Sequence, residues 1–293
     1  MPKLWTAGLT PLALAFIVGA APLSARADCP AVGLISRIDG RPQDVIITRI
    51  EDGRPIVVSR PRILEPVCQG DTIHAVGTTS ISISVDGSGP VRVNSNLDYR
   101  VPARSGPPSP AGNAYRLLMD QVMPDMKRLP WNVMIKGAGD DFGFALPALS
   151  AGGQQLQAGR RTLLVRLVGG TPPYDVELRT ALGALAASQS STGHQVILPS
   201  VVLSAGGYQV KVIDAAQNAL TAQLTVVDAG PTRDPAFDAI PDPENRAAVA
   251  AIALARASPG VWSFEAEQLV EAAPATGLDR DKVYELIESY PAN

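Results

Sequence analysis

Two cysteines, two histidines and 5% aromatic residues among 293 leave this chain short of reactive side chains. Two thiolates are too few for a zinc ribbon or an iron–sulfur cluster, which take about four, and two histidines cannot furnish a His-rich metal site. No metal or cofactor is expected. Basic residues are scarce as well: 25 Lys and Arg face 28 Asp and Glu. Nucleic-acid-binding domains present strongly basic surfaces, so the balance argues against that class. What is plentiful is apolar and turn-forming, with 46% hydrophobic residues, 26 Gly and 26 Pro. That supply suffices for packed cores and sets wholesale disorder aside. The length corresponds to about two domains.

The start of the chain reads as an address. Lys3 is followed by an apolar run from Leu4 to Ala25, and the run closes on Ala25-Arg26-Ala27. A short positive start, an apolar middle and an Ala-x-Ala end make a secretory signal peptide over residues 1–27, cleaved between Ala27 and Asp28. The alternative is an uncleaved membrane anchor, which Pro11 and Pro22 disfavour as a helix. Removing residues 1–27 moves the formal charge from −3 to −5. The acidity gathers at the far end, where residues 230–293 hold 5 basic and 11 acidic side chains. Once cleaved, the chain is expected to insert in no membrane.

Export gives the cysteines a meaning. In an oxidising compartment, Cys29 and Cys68 are most simply one disulfide. It would close a loop of about 40 residues, worth on the order of 4 kcal/mol in the chain-entropy model. A redox role finds no Cys-x-x-Cys pair and no basic neighbour to lower a thiol pKa.

From Val32 to Val101 the pattern is of short strands. Ser80 to Val85 alternates polar and apolar, setting Ile81, Ile83 and Val85 on one buried face. Asp39-Gly40, Asp52-Gly53 and Asp86-Gly87 read as turns. The Gly33 to Ile35 start, the Gly70-Asp71-Thr72-Ile73 turn and the Ser/Ile strand running into Asp86-Gly87 resemble the periplasmic FecR-type domain. In such a turn Gly70 allows the tight bend and Asp71 accepts backbone N–H bonds. We place this FecR-like β-domain at residues 28–104. The resemblance implies sensing, scaffolding or assembly with an envelope partner.

Residues 105–159 read as a Pro-rich linker, a short helix ending near Pro124, and a covering loop. Over 160–229, Tyr174, Val176 and Leu178 and then Tyr208, Val210 and Val212 mark half-buried strands. Gly169 to Tyr174 and Gly206 to Asp214 resemble bacterial immunoglobulin-like repeats, which implies a β-sandwich with Tyr208 as its tyrosine corner. Residues 230–293 become an acidic helical tail, opened by Asp242-Pro243-Glu244 with an N-cap, a first-turn proline and an acid.

The chemistry-bearing candidates are few. His74 and His194 fall in different domains, and no Gly-x-Ser-x-Gly elbow supports a hydrolase. Lys136 to Gly143 carries the letters Asp-Phe-Gly among glycines, in neither the kinase nor the dinucleotide spacing. That stretch reads more simply as a solvated loop. The acidic tail can be an ordinary charged face or a dock for a basic partner. The expected molecule is therefore mainly β and not an enzyme. It engages an envelope or periplasmic protein, or a cell-wall polymer. The alternatives are a membrane-anchored signal transducer, or an accessory subunit or weak hydrolase with a cryptic site.

Overall fold

A computed structural model describes residues 30–51, 53–86, 90–95, 97–103, 110–121, 141–258 and 260–290. The first unit runs β1 (Ala31–Asp39), β2 (Val45–Glu51), β3 (Arg54–Ser59), β4 (Pro66–Cys68), β5 (Thr72–Ala75), β6 (Ser80–Val85), β7 (Pro90–Asn94) and β8 (Tyr99–Arg100). They form two antiparallel four-stranded sheets, ordered β4-β1-β6-β7 and β3-β2-β5-β8. Period-two alternation builds the core between them. Ile35, Val45, Ile47, Ile73, Ile81 and Ile83 are all fully buried and in one cluster. Gly33 is required by proximity, since a Cβ there would lie 2.3 Å from the Ser84 carbonyl oxygen of the neighbouring strand.

The chain continues through α1 (Pro110–Gln121), β9 (Gly143–Phe144), α2 (Pro147–Ala151), β10 (Gln154–Gln157), β11 (Gly159–Val168), β12 (Tyr174–Thr180), β13 (Leu185–Ser191), β14 (Gln195–Leu203), β15 (Gly206–Ile213) and β16 (Ala219–Val227). One sheet is ordered β14-β11-β9 and the other β10-β16-β15-β12-β13. β10 runs parallel to β16 while every other pair in the two sheets is antiparallel. The leading segment thus touches both sheets, β9 in one and β10 in the other, and the whole is an immunoglobulin-like sandwich. Its core packs Leu163, Val165, Tyr174, Val176, Leu178, Val210 and Val212.

Here the expected boundary at residue 160 moves. Residues 143–157, read from sequence as a covering loop, supply two strands of the sandwich. Phe144 and Leu156 enter its core, and the polar letters around them hide the strands because Gln154 is itself fully buried.

Three helices close the chain: α3 (Pro243–Ala257), α4 (Ser263–Ala272) and α5 (Arg280–Glu288). Asp242 caps α3 by accepting from the Asn245 N–H at 2.8 Å, and Asp279 caps α5 through the Lys282 N–H at 3.3 Å. They are no peripheral tail. A third core joins Val249, Ile252, Val270, Val283 and Ile287 to Ala31, Leu34 and Leu64 of the first sandwich, to Ala114 and Tyr115 of α1, and to Leu164 of the second sandwich. Each Val, Ile or Leu side chain taken from water is worth about 1.5–3 kcal/mol, so this layer welds both sandwiches together.

Candidate functional site

The Gly70-Asp71 turn is a buried clamp. Gly70 has φ +81°, with nothing near a would-be Cβ, so the left-handed backbone is what selects glycine there. Asp71 is fully buried; its Oδ2 accepts from the Cys68 N–H at 2.8 Å and from Arg49 Nη2 at 2.9 Å, and its Oδ1 from Arg49 Nε at 3.1 Å. Arg49 Nη2 also donates to the Pro66 carbonyl at 3.0 Å. A forked ion pair with its spare donors engaged ties β2, β4 and the entry to β5 into one corner. Sequence reasoning placed Asp71 in the turn and missed Arg49, although the inward parity of Val45 and Ile47 extends to it.

In the second sandwich, the Tyr208 hydroxyl accepts from the Ser204 N–H at 3.1 Å, a bond from the start of β15 back to the preceding corner. Tyr174 is fully buried and donates to the Gly169 carbonyl at 2.8 Å, with His194 Nε2 3.1 Å from its hydroxyl and Phe142 stacked at 5.9 Å. His74 lies in the other sandwich, partly exposed and 2.7 Å from Asp98. The two histidines share no site. The Asp86 N–H donates to the Val32 carbonyl at 2.7 Å. Ala27, Asp28, Cys29 and Gly87, together with residues 136–140 of the glycine-rich stretch, lie outside the described residues. Cys68 is buried, and the described residues include no free thiol.

The acids of the helical segment turn inward. Glu244 is fully buried, its Oε2 accepting from the N–H groups of Thr276, Gly277 and Leu278 at 2.6, 2.9 and 2.9 Å and its Oε1 from Arg280 at 2.5 Å. Burial opposes its ionisation, yet these donors outweigh burial and hold the carboxyl below its ordinary value. Glu265 receives a forked Arg161 at 2.7 and 2.9 Å. Glu267 and Glu288 meet beside Arg166, which pairs with Glu288 and stands 4.6 Å over the Tyr284 ring. Burial first, then the neighbouring Glu288 charge, push the Glu267 carboxyl well up; burial lifts Glu288 to about 7. Paired carboxyls are acid–base machinery where a substrate reaches them. With Glu267 only 1% exposed, this pair is sealed in the seam between helices and sandwich.

What remains open is the first sandwich. The face of β4-β1-β6-β7 that looks away from its core carries the helical layer at Ala31 and Leu34. Among the described residues nothing packs on the outward face of β3-β2-β5-β8, where Ile46 is 38%, Ile50 61% and Val57 62% exposed. They lie side by side, since Thr48 pairs with Val57, Ile50 with Pro55 and Ile46 with His74. Such a cluster marks an interaction surface more often than a lone exposed Ile does. Its signal in the sequence is broken alternation, apolar letters running on through Val45-Ile46-Ile47 and Ile56-Val57-Val58. A second opening is a polar cleft of about 550 Å³ between the other sheet and the Thr276-Gly277 loop, floored by Ser36, Arg37, Asp39, Ser82 and Arg92. Its guanidiniums are partly spent on Asp39, at 2.5 Å from Arg37 and 3.1 Å from Arg92. Among the described residues no cluster of three metal-ligating side chains occurs, and no helix is long and apolar enough to cross a membrane.

No family model and no curated protein matches this chain. Among solved structures it is similar to CopC from Methylosinus trichosporium OB3b, at 18% identity over 28% of this chain and 89% of that one, TM-score 0.22. It is also similar to the ZIG-8–RIG-5 IG1–IG1 heterodimer, at 13% identity over 37% and 98%, TM-score 0.20. A third is DIP-gamma IG1+IG2, at 11% identity over 62% and 69%, TM-score 0.20. Scores of this size carry no functional argument.

Proposed function

We propose that this is an exported, non-catalytic binding or scaffolding protein, acting outside the cytoplasm through a FecR-like first sandwich and an immunoglobulin-like second one. The observation that carries the reading is the inequality of the first sandwich's two outer faces: among the described residues, one is covered by helices and the other is an apolar sheet with nothing on it. A covered face fixes the domain in place, and a bare one offers it to a partner. The ionisable groups support the same reading: Asp71, Glu244 and Glu265 are consumed in bonds that hold the fold. A disulfide from Cys29 to Cys68 belongs to this proposal. Ala31 pairs with Cys68, and the Gln69 N–H donates to the Pro30 carbonyl at 3.0 Å, so the segment entering β1 starts beside Cys68.

Cross-linking in the native envelope, with identification of what is captured, tests the role. An envelope protein or wall polymer joined to residues of the bare face is the expected result; specific labelling by a serine- or cysteine-directed activity probe overturns it. Mass spectrometry of the exported protein is expected to find a chain beginning at Asp28, whereas an intact N-terminus favours the membrane-anchored transducer.

A further inference from the structure

Two sheet edges in this molecule are treated in opposite ways. Beyond the two residues of β9, the edge of β11 would be bare, and α4 covers it. The Gln268 side chain takes the Leu164 N–H on its Oε1 at 2.7 Å and donates from Nε2 to the Leu164 carbonyl at 3.0 Å, so an amide stands where a strand would. Among the described residues β3 closes its sheet with β2 as its sole strand partner, and five of its six residues are exposed. A long apolar edge left open is a template for another strand unless charges, prolines or a cover blunt it.

The register decides which backbone groups are on offer. Glu51 faces Arg54 across a two-residue loop, so they form the hydrogen-bonded closing pair of the hairpin, and pair types alternate from there. Residues 54, 56 and 58 spend their bonds on β2. Residues 55, 57 and 59 turn theirs outward, which is where Pro55, having no N–H, costs the hairpin nothing. The edge therefore offers the Val57 and Ser59 N–H groups and the carbonyls of Pro55, Val57 and Ser59. Ile56 and Val57 lie at its middle, 36% and 62% exposed. Its ends are cationic: Arg54 opens the strand and Arg60 follows its last residue at φ 57°, both exposed and without an ion-pair partner among the described residues, with about 17 Å of strand between Arg54 and Ser59.

We infer that β3 is an acceptor edge for an extended polypeptide segment of another protein, about seven residues long, apolar in its middle and acidic at both ends. Backbone bonds to residues 55–59 supply the grip, and Arg54 and Arg60 select the ends. A second copy of this chain fits poorly, because a two-fold centred on Val57 sets Arg54 against Arg60. This deepens the binding role proposed above and rests on it for the partner being an envelope protein.

The test uses the full chain, isotopically labelled, and a capped synthetic peptide Glu-Thr-Val-Thr-Val-Thr-Glu. The expected result is a shift of the Val57 and Ser59 amide signals on titration, with affinity falling about five- to tenfold when Lys replaces both Glu ends. Val57→Pro is expected to abolish binding, since it removes an outward N–H and no bond to β2. Arg54→Glu combined with Arg60→Glu, which leaves the backbone edge intact, is expected to reverse the preference to the Lys-ended peptide. No perturbation at residues 55–59, or equal binding of both peptides, overturns the inference. So does sedimentation of a dimer that Val57→Pro dissolves, which assigns the edge to a second copy. Envelope cross-links elsewhere on the molecule would sink the acceptor edge and leave the binding role standing. Peptide binding without an envelope partner would do the reverse.

Discussion

Both sandwiches are held by one helical layer, but through different chemistry. The first meets it with Ala31, Leu34, Ile63 and Leu64 against Tyr115 and Val249, with the Asp279 N–H donating to the Ser36 carbonyl at 3.2 Å. The second meets it with Gln154 capping the Phe264 N–H, Arg161 on Glu265, Gln268 on Leu164 and Arg166 on Glu288. An apolar seam gains in proportion to the area buried and is indifferent to direction. A seam of buried ions gains little net energy over an apolar one, yet loses heavily when one partner is removed, and it fixes register. The molecule has thus joined its two sandwiches to the helical layer by one adhesive joint and one keyed joint.

The difference can be broken from the keyed side first. Glu265→Ala strands Arg161 and frees the Gln157 N–H, and is expected to cost about 3–5 kcal/mol in urea denaturation. A double-mutant cycle with Arg161→Ala should recover much of that loss. On the adhesive side, Leu34→Ala is expected to cost about 2–5 kcal/mol with no change of its effect between pH 5 and 8.

A third measurement separates the seams by pH. Glu267 and Glu288 have folded-state pKa values above their unfolded value of 4.5, so the folded protein holds protons that the unfolded chain has released. Their contribution is intact below pH 4.5 and declines as pH climbs to about 7, where Glu288 titrates. The slope is at most about 1.4 kcal/mol per pH unit for each proton. Glu267→Gln should flatten it, as read from denaturation midpoints across that window. The smallest effect is expected inside the second sandwich, where Tyr208→Phe removes the bond from Ser204 and costs about 1 kcal/mol in the same assay.

Sequence reasoning reaches those features that a local pattern dictates. The alternation at Ser80–Val85, the Asp242 cap and the Tyr174 to Leu178 strand each follow from spacing and residue type. It fails where a polar letter is turned inward by a distant partner. Gln154 is buried because it caps α4 from 110 residues away, and the Gln-rich strand around it therefore looked like loop. The acids of residues 230–293 read as the charged face of a helical tail, yet Glu244, Glu265 and Glu267 are interior because their partners Arg280, Arg161 and Glu288 come from other elements. The bare face of the first sandwich was legible only as broken alternation at Ile46 and Val57, a signal that also fits a strand buried on both sides.

The welding layer has a consequence in time. Its core draws on residues 31, 34, 63, 64, 111–115, 164 and 237–290, so a chain made from its N-terminus has both sandwiches in hand before the last sixty residues arrive. Until then only α1, through Ala114 and Tyr115, shelters Ala31, Leu34 and Leu64, and the part of that face that Val249 and its neighbours will cover stays open. The C-terminal helices act as the final fastening, and a chain cut short before them carries a complete set of strands with no closed surface.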